Sequence, residues 1–301
     1  MLHKRSIVIN MEKDLLVALE EGFSKFSKGH KLIARYVLEH FDKSAFMTAA
    51  KLGQTVGVSE STVVRFAIEL GFDGYPAFQK ALQDLMRNKL TSFQRIDVTS
   101  DQIGEDDILE KVLSLDIDRI RGTLNECSKK DFYEAVDKIV NAHTIYVIGN
   151  RSSAALASFT AYYLNLIFPY VKLVRSSSTS EMFEQILRVD SKDVAIGFSF
   201  PRYSKQTLNA LKYAHDNGAG VIAFTDSKNS PLVKYADNVL IAQSDMASFV
   251  DSLVAPLSLI NALIVAVSMG NREKLSNNFK RLEDIWEKYD VYEKNESYDK
   301  D

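Results

Sequence analysis

Residues 48–74 read TAAKLGQTVGVSESTVVRFAIELGFDG. Thr48 stands as an N-cap before a segment whose apolar residues Ala49, Ala50, Leu52 and Val56 recur at helical spacing, and Gly57 supplies a turn. Val58 can point back inward. Ser59 then caps a second segment with Val63, Phe66, Ala67 and Leu70 on its inward side, and Gly71 stops it. Two short helices joined by a tight turn with Gly are the arrangement in which the second helix enters the DNA major groove. The same spacing also fits a helical hairpin inside a larger bundle.

Working outward, Met11 to Phe26 and Lys31 to His40 carry apolar residues at helical spacing (Leu15, Leu16, Leu19 and Phe23, then Ile33 and Val37, with Phe41 next in the series) and read as support helices separated by Gly29. Lys28, His30, Lys31 and Arg35 make the second of them basic at its start, a face for a DNA backbone or simply for solvent. Phe72 to Pro76 reads as a turn, and Ala77 to Asn88 as a further helix with Phe78, Leu82, Leu85 and Met86 inward. Residues 1–90 thus form an all-α domain. Residues 91–107 lose periodicity and turn polar, which marks a linker, and Ile108 to Leu124 resumes helical spacing as a dimer contact or as a helix packed on its own domain.

From Asp131 the pattern alternates. Short apolar strands at Thr144–Ile148, Val171–Val174, Val194–Phe198, Gly220–Thr225 and Val239–Ile241 are separated by helices at Ser153–Ile167, Glu181–Leu187, Lys205–Asn217 and Leu232–Tyr235. A helix from Phe132 to Val140 precedes them, and the helices Ser252–Met269 and Leu275–Trp286 follow. Such alternation implies an α/β domain, residues 108–290, built on a doubly wound parallel five-stranded sheet whose ligand lies beyond the carboxyl ends of the strands. Residues 291–301 form a polar tail.

Those carboxyl ends are rich in hydroxyls: Asn150, Arg151, Ser152 and Ser153 after the first strand, and Ser176, Ser177 and Ser178 after the second. Ser199, Arg202 and Ser204 follow the third. Hydroxyls and backbone N–H groups at helix starts hold anions, and two guanidinium groups beside them call for an anion or an acidic residue in between. Each Ser taken singly also suits a helix cap, Ser180 and Ser204 most of all.

Composition bounds the remaining possibilities. The 301 residues, 46% hydrophobic and 26% charged, suit a globular chain of two domains. Cys127 alone excludes an intrachain disulfide and a cysteine metal cluster, and its helical surroundings point to a buried thiol. The start MLHKRSIVIN lacks the apolar run of a signal peptide, and the stretch Leu253–Met269 is interrupted by Pro256, Ser258, Asn261 and Ser268, so a cytoplasmic protein without a membrane partner is expected. Residues 1–95 hold 14 Lys and Arg against 10 Asp and Glu, net +4, while the rest holds 23 against 30, net −7. A basic module on an acidic remainder suits a DNA reader joined to a domain that does not touch DNA.

The run VSESTVVRFAIELGFDGYPAFQ matches V-S-x-x-T-V-x-R-F followed by L-G-F and G-Y-x-x-F, and AFTDSKNSPLVKYADNVL matches the strand-helix-strand segment of sugar isomerase (SIS) domains. On these motifs the chain resembles the RpiR/MurR transcriptional regulators across nearly its whole length. The resemblance implies an N-terminal helix-turn-helix domain followed by a flavodoxin-like SIS domain. It further implies that a phosphorylated sugar bound to the SIS domain controls DNA binding. Two departures stand out. SIS domains show G-x-G-x-S after the first strand, and here Gly149 and Ser153 match while Arg151 replaces the second Gly. They show S-x-S-G-x-T after the third, and here Ser199 and Ser204 match while Pro201 and Arg202 replace the second Ser and the Gly. The effector expected is therefore a small anionic sugar, a phosphosugar or another acidic sugar.

The DNA contacts expected are Thr48, Ser59, Glu60, Ser61, Thr62 and Arg65, which face away from Val63 and Phe66, on double-stranded operator DNA bound by a homodimer or higher homo-oligomer. Ligand binding between two SIS domains would alter the spacing of the two readers. An aldose-ketose isomerase is the alternative. It needs a carboxylate base and usually a histidine, for which Glu181, Glu184 and His215 are the candidates, and a solvated position is expected for Glu184 and His215. No cofactor, metal site or catalytic residue is expected.

Overall fold

A computed structural model describes residues 11–89, 107–175, 178–245 and 250–292. All but the last residue of the linker read at 91–107, the Ser176–Ser177 pair, the side chains of Leu16 and Met86 and most of the polar tail lie outside the described residues. The chain divides into two units, residues 1–112 with 246–251 and residues 113–245 with 252–301, so that the first boundary falls inside the helix that begins at Ile108.

The first unit is helical: α1 Met11–Gly22, α2 Lys28–Glu39, α3 Phe41–Ser44, α4 Ala49–Val56, α5 Glu60–Glu69 and α6 Tyr75–Lys89. Capping sets the central pair. Thr48 Oγ1 accepts the Lys51 N–H at 3.2 Å, and Gly57, at φ 77°, closes α4 in the left-handed conformation that glycine adopts without steric cost. Ser59 Oγ accepts the Thr62 N–H at 3.3 Å and opens α5. Leu52, Val63, Phe66, Phe78 and Leu82 are fully buried in one core with Leu19, Ile33 and Val37. The Phe66 ring meets Phe26 and Phe78 edge-on at 5.4 and 5.8 Å, and each such pair adds about 0.5–1.5 kcal/mol beyond area burial. Tyr75 donates to the Met47 carbonyl at 2.6 Å, which fixes the approach to α4, and burial pushes its phenol up to about 12.

Three local expectations change. Gly29 lies inside α2 rather than before it, because Ser27 caps the helix by accepting the His30 N–H at 3.3 Å. Its missing side chain is used for packing: a Cβ there would meet Thr62 Cγ2 at 3.4 Å, so α2 lies flush against the start of α5. Tyr75 and Pro76 belong to α6, where a proline in the first turn lacks only an N–H the helix does not need. The short helix α3 was not anticipated.

The second unit opens with α7 Ile108–Glu126 and α8 Lys129–Asn141, then alternates: β1 Ile145–Gly149, α9 Ser153–Ile167, β2 Val171–Val174, α10 Thr179–Ile186, β3 Val194–Phe198, α11 Lys205–Asp216, β4 Gly220–Thr225, the 3-10 turn Pro231–Tyr235 and β5 Asn238–Ile241, closed by α12 Val254–Gly270 and α13 Arg272–Lys288. All pairings are parallel in the order β2-β1-β3-β4-β5, the doubly wound five-stranded sheet that the apolar runs imply. Every residue of β1 and β3 is buried, as strands covered on both faces require. Alternate residues serve opposite faces. Ile145 and Val147 pack with Leu156 and Ala157 of α9 and with α8 and α12, while Tyr146 and Ile148 pack with Ala210 and Leu211 of α11. At the start of β3, the buried Asp193 accepts the N–H groups of Thr144 and Asp190, both at 3.0 Å. Among the described residues no single helix is long and apolar enough to cross a membrane.

One buried charge stands out in α7. Arg119 is 4% exposed and donates to Asp116 at 2.8 Å, and Asp116 also accepts the Ser252 hydroxyl at 2.7 Å. Cys127 follows α7 partly buried, and burial raises its thiol above the ordinary value.

Candidate functional site

The outer face of α5 is built by its cap. Ser59 Oγ lies 2.9 Å from Ser61 Oγ and 2.8 Å from Thr62 Oγ1, so three hydroxyls cluster at the helix start where free N–H groups and the positive end of the dipole favour a phosphate. Arg65 folds back along the helix, its Nε donating to the Ser61 carbonyl at 3.2 Å. Ser59, Glu60, Ser61 and Arg65 at the start of α5 are exposed and Thr62 is half-buried, while Val63, Phe66 and Ala67 of the same helix are buried; Thr48, at the start of α4, is exposed as well.

The sequence of α5 carries a single cation, Arg65, against Glu60 and Glu69. Phosphate neutralisation must therefore come from neighbours. His30 of α2 is committed to the fold, with its Nδ1 2.6 Å from Glu69 and its ring edge-on to Phe66, and Arg35 lies over the Phe23 ring. Lys28, exposed, and Lys31, half-buried, lie at the start of α2, where Gly29 approaches Thr62, and Lys51 is exposed in the first turn of α4. We expect Lys28→Ala, Lys31→Ala and Lys51→Ala each to weaken binding to any duplex and to reduce the slope of log affinity against log salt by about 0.9. Unchanged slopes in all three would remove these side chains from the interface.

At the carboxyl ends of the strands, Gly149 lets β1 approach the start of α9, since a Cβ there would lie 2.6 Å from the Ser153 carbonyl oxygen. Asn150 Nδ2 donates to Thr207 Oγ1 at 2.9 Å and ties the loop after β1 to the start of α11. Three of the five described hydroxyls expected to hold an anion, Ser178, Ser199 and Ser204, are used internally. Ser199 Oγ accepts the Ser204 N–H at 2.9 Å, and Ser204 Oγ in turn caps α11 by accepting the Thr207 N–H. Ser178, not Ser180, caps α10 by accepting the Glu181 N–H, because Ser180 lies inside the helix and donates to Glu184 at 3.2 Å. Ser153 is 5% exposed, whereas Ser152 is exposed and makes no side-chain cap bond.

Arg151 and Arg202 have φ of 56° and 62°. The backbone keeps the left-handed conformation suited to glycine at the two positions where arginine replaces it, at a cost of about 1–2 kcal/mol each. Both side chains are exposed. A third arginine, Arg175 after β2, donates to Ser158 Oγ at 3.1 Å. Sequence reasoning could place the arginines but not their backbone state.

The isomerase candidates are not brought together. Glu181 and Glu184 lie on α10, and both are exposed. His215 is exposed and lines a cavity of about 440 Å³ with Lys138, Asp193 and Gly220, at the amino ends of β3 and β4, opposite the crevice.

Comparison with known proteins matches both units. Residues 13–89 match the helix-turn-helix domain of the rpiR family, and residues 138–266 match the SIS domain. An uncharacterized HTH-type transcriptional regulator from Haemophilus influenzae is 29% identical over 252 residues, 81% of this chain and 87% of that protein. The HTH-type transcriptional regulator HexR of Escherichia coli is 24% identical over 90% of this chain and 93% of its own. Among solved structures, the sugar isomerase domain of an RpiR transcription factor from Sphaerobacter thermophilus is 28% identical, with a TM-score of 0.55 over 57% of this chain and 96% of that one. NanR of Vibrio vulnificus, described in complex with ManNAc-6P, shares the fold at 23% identity and a TM-score of 0.56, over 90% of this chain and 97% of its own.

Proposed function

From the premise that the chain belongs to the RpiR family of transcriptional regulators, with a SIS domain behind its helix-turn-helix, we propose that it acts in the cytoplasm on genes of sugar metabolism. In this reading it binds an operator as a homodimer through Thr48, Ser59, Glu60, Ser61, Thr62 and Arg65. A phosphosugar or other acidic sugar in the crevice at Asn150, Arg151, Ser152 and Arg202 controls that binding. The observation that carries the reading is the cluster of three hydroxyls and Arg65 on the exposed start of α5, held by a separate helical core. A dimer follows from reach, because one recognition helix covers only a few base pairs. The exposed apolar residues of α7, Leu113 at 53%, Ile117 at 49% and Leu124 at 75%, give it a surface to use. Selection from a random pool of duplexes tests the reading. Enrichment of paired, inverted half-sites supports it, and a pool that stays random sinks it.

A further inference from the structure

The outward face of α5 carries an apolar side chain beside its polar ones. With about 3.6 residues per turn, Ser61, Arg65 and Ile68 fall within an arc of about 60°, opposite the buried Val63, Phe66 and Ala67. Ile68 is 54% exposed. Among the described residues 11–89 the other exposed large apolar side chains, Leu32 of α2 and Phe46 between α3 and α4, are less exposed and lie off this helix. A β-branched residue gives an exposed helical site nothing for folding, since its rotamers are restricted and its helix propensity is below that of alanine.

The polar side chains around it are engaged elsewhere. Glu69, the next residue, lies 2.6 Å from His30 Nδ1 of α2. Arg65, one turn earlier, folds back on Ser61, its Nε donating to the Ser61 carbonyl at 3.2 Å and its second terminal nitrogen to Ser61 Oγ at 3.4 Å. Ile68 stays open beside them. At about 1.5 Å per residue, Ile68 lies about 4.5 Å beyond Arg65 along the axis and about 10.5 Å beyond Ser61. Base pairs are about 3.4 Å apart, so this face spans about three base-pair steps, and Ile68 and Arg65 are about one step apart.

In the major groove the base edges offer hydrogen-bonding groups, and thymine alone adds an apolar one, its C5 methyl. An isoleucine on the reading face has no partner among the hydrogen-bonding groups and one among the rest. Because α5 contains a single cation, base selection by this helix cannot rest on several arginine–guanine pairs. We propose that Ile68 is a specificity-determining residue that packs on a thymine methyl, in the base pair next to the one that Arg65 faces. The inference rests on the reading of α5 as the recognition helix.

The test uses the full chain and the duplex enriched from a random pool. Each thymine of a half-site is replaced in turn by deoxyuridine, which lacks the C5 methyl and keeps every hydrogen-bonding group, and affinity is read by fluorescence anisotropy. At one thymine the change should weaken binding about fourfold, the effect of one methyl group left in water, and about 15-fold when both half-sites carry it. Ile68→Ala should bind the thymine duplex more weakly by a similar factor and lose the difference between thymine and uracil at that position. Its salt slope should be unchanged, because no phosphate contact is removed. Its melting temperature should not fall, since alanine is the better helix former at an exposed site. Ile68→Leu should keep the thymine preference. If the enriched half-site holds no thymine, if none responds to the change, or if one responds equally in the unaltered protein and in Ile68→Ala, this inference falls and the recognition-helix reading stands. A pool that stays random overturns both.

Discussion

Gly53→Ala is expected to disable the DNA-binding unit. A Cβ at this position would lie 2.8 Å from the Val58 carbonyl oxygen and 3.3 Å from both the Glu60 nitrogen and the Ser59 carbonyl carbon. All three are backbone atoms of the turn that aims α5, so no side chain can swing away. The Gly53 carbonyl is itself the acceptor for the Val58 N–H at 2.9 Å, which anchors the turn to the same residue. Overpacking of this kind costs about 1–3 kcal/mol and moves backbone, and α5 would be displaced relative to α4. Duplex affinity should fall at least tenfold, since a change of about 1.4 kcal/mol suffices for that factor. Gly57→Ala is the control. It has nothing within 4 Å but a φ of 77°, so it should lower stability by about 1 kcal/mol while leaving the geometry of α5 in place. Equal DNA binding by Gly53→Ala and the unaltered protein would show that the turn does not set the position of α5.

Asp116→Ala should produce the largest loss of stability in the second unit. Arg119 is 4% exposed, and its NH1 donates to Asp116 at 2.8 Å, while its Nε has no acceptor. Removing Asp116 leaves a guanidinium buried without its counter-charge and takes the acceptor from Ser252. Breaking a buried pair by deleting one partner costs about 3–5 kcal/mol, and the lower end applies because the Asp116 side chain retains 15% of its exposure. That corresponds to a fall of about 6–12 °C in melting temperature for a unit of this size. The double change Asp116→Ala with Arg119→Met removes the charge as well as its partner, and should recover most of the loss. A melting temperature unchanged in the single variant would mean that Arg119 is solvated or otherwise paired.

Much of this architecture is legible in the sequence because its punctuation is local. Thr48, Gly57 and Ser59 mark helix ends by the chemistry of their own side chains or their lack of one, and the structure places all three where that chemistry requires. The strands are short continuous apolar runs, and Val171–Val174, Val194–Phe198 and Gly220–Thr225 begin and end where the runs do. What the sequence concealed depends on contacts between distant residues. Gly29 looks like a helix break, yet it is the point where α2 meets Thr62. Ser178 and Ser180 both look like caps, and only the path of the backbone into α10 decides between them. The crevice is the hardest case. Ser199 and Ser204 read as ligand contacts, but Ser199 accepts from the Ser204 backbone and Ser204 caps α11, while the two arginines that replace glycines adopt the glycine backbone. No periodicity or composition reports a φ angle.

The claim that joins the two units is that a small anionic sugar governs DNA binding. A footprint of the full chain on the promoter next to its own gene, with and without sugar phosphates and phosphorylated sugar acids, measures this directly. The account predicts a protected pair of inverted half-sites whose occupancy changes on addition of an anionic sugar and does not change in Arg151→Gly or Arg202→Gly. A sequence-selective footprint insensitive to every such sugar would contradict the coupling, and the absence of any selective footprint would contradict the regulator itself.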